Sequence, residues 1–107
     1  MGIIKEWTDD IEFIREKLPQ EELLAQFAEE CAELGKAALK LRRVYDGKNP
    51  TPAKRSEVYK NFLEEIADVY LCTEVLNLNT YDCFCRVGEI MQMKLTRWRS
   101  RLEGGSM

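Results

Sequence analysis

The chain has 107 residues, 45% hydrophobic and 33% charged, with a net charge of −3 and an isoelectric point near 5.1. This fits one domain spanning residues 1–107 with a modest core, soluble and helical rather than disordered. The acidic balance offers no field for duplex nucleic acid, and the absence of histidine excludes Ser–His and Cys–His catalysis within the chain.

No signal peptide and no apolar run long enough for a bilayer is visible, so no membrane partner is expected and the cytoplasm is the expected location. Met1-Gly2 does not begin a myristoylation signal, because Glu6 stands where Ser or Thr is required. Cys31, Cys72, Cys83 and Cys85 lack paired C-x-x-C spacing, which argues against zinc. They read as small buried hydrophobes in a reducing compartment.

Four helices are expected, and no strand. After a short lead ending in Trp7, Thr8 can cap a first helix that Pro19 stops, with Asp9 and Asp10 in its first turn and Ile11, Ile14 and Leu18 on its apolar face. A second helix runs from about Gln20 to Tyr45 on a stripe of Leu23, Leu24, Phe27, Cys31, Leu34, Ala38 and Leu41. Gly47 suits the residue just past its end. The run Gly47-Lys48-Asn49-Pro50-Thr51-Pro52 is the clearest breaker. A third helix, about Lys54 to Asn77, carries Phe62, Ile66, Val69, Thr73 and Leu76, yet Leu63, Tyr70, Leu71, Cys72 and Val75 cover much of the remaining circumference. A helix apolar nearly all round is buried nearly all round, which calls for a second chain. A turn at Asn77-Leu78-Asn79 leads to a fourth helix, 81–102, capped by Thr80. Its stripe is Phe84, Val87, Met91, Leu95, Trp98 and Leu102, with Lys94, Arg97 and Arg101 along one edge. The tail, 103–107, reads as frayed.

One pattern occurs twice. Phe27-Ala-Glu-Glu-Cys-Ala-Glu-Leu34 returns, 35 residues later, as Phe62-Leu-Glu-Glu-Ile-Ala-Asp-Val69. Residues three apart share a helix face, so Glu30 pairs with Glu33 and Glu65 with Asp68, each pair on the shoulder of an apolar stripe. Glu30 with Asp68, and Glu33 with Glu65, are symmetric about Asn49. An antiparallel hairpin folded there brings four carboxylates level. Like charges so placed raise one another's pKa, and a divalent cation removes the conflict. An all-oxygen donor set suits a hard ion, magnesium first. Any single glutamate here is more simply a solvated helix residue, and the cations of the fourth helix more simply a solvated edge. It is the repetition that favours a site. Trp7, Phe13, Tyr59, Tyr70 and Trp98 are candidates to stack on a base, though core positions suit most of them.

Glu29-Glu30-x-x-Glu33 followed by Glu65-x-x-Asp68 resembles the signature of the MazG-type, all-alpha nucleoside triphosphate pyrophosphohydrolases. Lys94-x-x-Arg97 resembles that family's late basic stretch. The likeness covers residues 20–101. It implies an all-α, four-helix chain with its core at about 20–102, in a family of dimers or tetramers; the over-apolar third helix leads us to expect a homo-oligomer, tetramer ahead of dimer. It also implies hydrolysis of a (deoxy)nucleoside triphosphate to monophosphate and pyrophosphate with magnesium, manganese being a possible substitute. Glu30, Glu33, Glu65 and Asp68 would hold the metal, Glu29 or Glu30 would position or deprotonate the water, and Lys94 and Arg97 would contact phosphate. Leu95 stands where relatives often carry asparagine, and the 31 residues between Glu33 and Glu65 make a long hairpin. These departures keep an alternative in view: a catalytically silent helical module that binds nucleotide, regulates or dimerises.

Overall fold

The structure is a computed structural model and describes residues 7–47 and 54–104. Four helices account for it: α1 (Thr8–Lys17), α2 (Gln20–Asp46), α3 (Arg55–Val75) and α4 (Tyr81–Leu102). There is no strand among the described residues. None of the helices is long and apolar enough to cross a membrane. The lead before Trp7, residues 48–53 with the breaker's midpoint Asn49, and the last three residues of the tail lie outside the described residues.

The chain falls into two compact units, one through Asn77 and one from Leu78 onward. In the first, α2 and α3 form the main packing and α1 lies against α3. The α2–α3 pair is antiparallel. The Arg55 guanidinium at the start of α3 sits 4.1 Å from the ring centroid of Tyr45 at the end of α2, while Glu30, near the middle of α2, meets Glu65 and Asp68 farther along α3.

The helix ends follow local chemistry. Pro19 disfavours helical backbone at the residue before it, so Leu18 is extended (ψ 129°) and α1 ends at Lys17. The Pro19 carbonyl then accepts from the amides of Glu22 and Leu23 to open α2. Gly47 closes α2 in the left-handed region (φ 68°), its N–H donating to Arg43 O, at a backbone angle glycine adopts without penalty. Thr80 Oγ1 accepts from the Cys83 amide at 3.2 Å and caps α4. Thr8 does not cap α1. It is already helical, and the cap position is Trp7, which offers no side-chain acceptor.

Arg15 ties α1 to the end of α3. Its guanidinium donates to the carbonyls of Val75 (3.1 Å) and Glu74 and to Asn77 Oδ1. The last carbonyls of a helix lack partners within it and carry its negative dipole end, so a cation from a neighbouring helix stabilises both. Asn77, at φ 62°, turns the chain there.

The buried core is Ile11, Leu23, Ala37, Leu41, Val58, Cys72 and Leu76. This corrects the α2 stripe. Leu24, Cys31 and Ala38 are exposed, and the inward face runs Leu23, Phe27, Glu30, Leu34, Ala37, Leu41, at alternating steps of four and three. α3 presents the same spacing through Val58, Phe62, Glu65, Val69, Cys72 and Leu76. That is the narrow apolar stripe of a two-helix seam. Glu30 and Glu65 therefore stand on the seam rather than beside it. The cysteine expectation holds for Cys72 only: Cys31 and Cys85 are exposed and Cys83 is half-buried.

Candidate functional site

The seam brings acids together from both helices. One carboxylate oxygen from each of Glu30, Glu65 and Asp68 lies within 4.8 Å of the others. Glu30 and Glu65 are half-buried and Asp68 is exposed, so the cluster opens to solvent on one side. Gln26, one turn before Glu30, donates from Nε2 to Glu30 Oε1 at 2.9 Å and steadies that carboxylate.

The electrostatics record the crowding. Partial burial pushes the Glu30 carboxyl above its ordinary range. The hydrogen bond a protonated Glu30 makes with Asp68 and the negative charges of Asp68 and Glu65 push it further, against a smaller opposing pull from Gln26. Cys72 lies one turn beyond Asp68. Burial, then the charge of Glu30 and smaller contributions from Cys31 and Asp68, push its thiol up. A thiol held protonated is no metal ligand, so the donors around the cluster are carboxylate oxygens. Hard divalent ions take that donor type, and the three convergent oxygens fit such an ion.

Three of the four sequence-predicted acids thus converge. Glu33 does not join them: it is exposed, with its carboxylate 3.5 Å from Lys36 Nζ. Glu29 is exposed and also outside the cluster. The four-acid level expected from symmetry about Asn49 is replaced by a three-acid group centred on Glu30, because Glu30 is the acid of α2 that falls on the seam. Gln26 and Cys72 escaped the sequence reading. Each sits four residues from a cluster acid, a spacing that places side chains together on a helix.

Lys94 and Arg97 belong to the second unit. With Trp98 and Arg101 they line a shallow concavity of about 250 Å³ on α4, all four side chains exposed. Arg99, off this edge, pairs instead with Glu103 at 3.3 Å. A larger groove, about 460 Å³, runs between α1 and α3 and is lined by Trp7, Ile11, Ile14, Tyr70, Leu71 and Val75 among others. None of Glu30, Glu65 and Asp68 lines it. The five aromatic candidates for base stacking are all exposed rather than core, from Trp7 at 40% to Trp98 at 60%. Comparison with protein-family models, with curated proteins and with solved structures finds no match to this chain.

Proposed function

We propose that the chain is a magnesium-dependent nucleotide pyrophosphohydrolase of the MazG-like kind, cleaving a (deoxy)nucleoside triphosphate to monophosphate and pyrophosphate. The observation that carries the reading is the convergence of Glu30, Glu65 and Asp68 within 4.8 Å, two of them on seam positions. Half-buried carboxylates that repel one another cost stability. Hydrophobic side chains would serve packing better, so a cation-binding role accounts for their presence.

Glu30, Glu65 and Asp68 would hold the metal on this reading, while Glu33 lies outside the group beside Lys36. When bound, magnesium, or manganese in its place, supplies positive charge for phosphate oxygens and acidifies an attacking water. Glu30, or Glu29 beside it, would orient the attacking water and accept its proton. Gln26 holds the Glu30 carboxylate in place for that transfer. Lys94 and Arg97, one turn apart on α4, are the phosphate contacts.

The same reading includes self-assembly through α3, tetramer ahead of dimer. Leu63, Tyr70 and Leu71 are 45–50% exposed, and burying the exposed part of each is worth on the order of 1 kcal/mol. Leu71→Glu should reduce the mass seen by light scattering, and a wild-type chain that is monomeric at micromolar concentration contradicts this part.

A second reading is a silent helical module, in which the seam acids serve only to fix the register of two helices, a known use of polar seam residues. Its supporting observation is that Glu30 and Glu65 fall on the seam itself. The experiment that separates the two is pyrophosphate release from a panel of nucleoside triphosphates, with and without magnesium. Metal-dependent release supports the hydrolase; no release from any triphosphate leaves the module.

A further inference from the structure

We draw no further inference here: the strongest candidate, the apolar groove between α1 and α3 lined by Trp7, Ile11, Ile14, Tyr70, Leu71 and Val75, carries nothing because nothing in the structure shows what covers it.

Discussion

The α2–α3 pair and α4 carry the same apolar spacing and meet different fates. On α2 and α3 the seam closes over Leu23, Ala37, Leu41, Val58 and Cys72. α4, in the second unit, has no buried residue. Periodicity therefore reports which face of a helix wants cover, and it says nothing about which element provides it. The comparison also separates two kinds of anomalous seam residue. The buried seam holds acids, Glu30 and Glu65, where packing favours apolar groups. α4 holds Gly88 in its interior, where helix propensity favours almost anything else. Each residue is locally unfavourable, and departures of this kind from local rules are where a functional role is sought first.

The largest expected effect lies at the acids. Asp68→Asn and Glu65→Gln should each lower metal-dependent pyrophosphate release by at least about 10²-fold, the upper end of what disturbing a metal ligand's supporting shell does. Helical circular dichroism should be retained. Core truncation comes next and addresses the two seams directly. Leu41→Ala, at a buried position, should cost about 2–4 kcal/mol in urea unfolding. Leu95→Ala, measured dilute enough that the chain is monomeric, should stay within about 0.5 kcal/mol. Equal costs would erase the distinction between the seams. Arg15→Met removes the guanidinium that caps α3 and should cost about 1.5–3 kcal/mol, read as faster amide exchange in the last turn of α3. Thr80→Ala should cost about 1 kcal/mol, felt as fraying at the start of α4.

The smallest effect is a slope. Glu30 binds its proton more tightly in the folded chain than in the unfolded one, since its folded pKa is raised. Without metal, stability then falls as pH rises from the ordinary carboxylate range through the raised value, and below that window the group contributes no penalty. Asp68→Asn removes one neighbouring charge and should flatten that part of the curve in metal-free denaturation.

Much of this fold was legible from residue types. Pro19, Gly47 and Thr80 locate helix ends to within a residue or two because each acts through its own backbone or side-chain geometry. The acid pattern was legible because it repeats at a fixed offset. The seam was not. Whether Glu30 or Cys31 faces inward on α2 depends on how the helix is rotated against α3. A stripe read one residue off gives nearly as good a periodicity, so Ala38 was expected inside where Ala37 is found. Convergence of Glu30 on both Glu65 and Asp68, with Glu33 left to Lys36, follows from that rotation and from the register of two helices. Neither is a local property. Burial of Cys31 was misjudged for the same reason.

The central claim, that carboxylates from two helices form one cation site, is tested most directly by thermal melting at neutral pH with and without magnesium, in the wild type and in Asp68→Asn. A cation held at tenfold over its dissociation constant adds about 1.4 kcal/mol to stability. The account predicts that magnesium raises the wild-type melting temperature by several degrees. It also predicts that Asp68→Asn, relieved of one repelling charge, melts above the wild type in the absence of metal and responds little to its addition. A wild type indifferent to magnesium, or a variant that responds as strongly as the wild type, would contradict it.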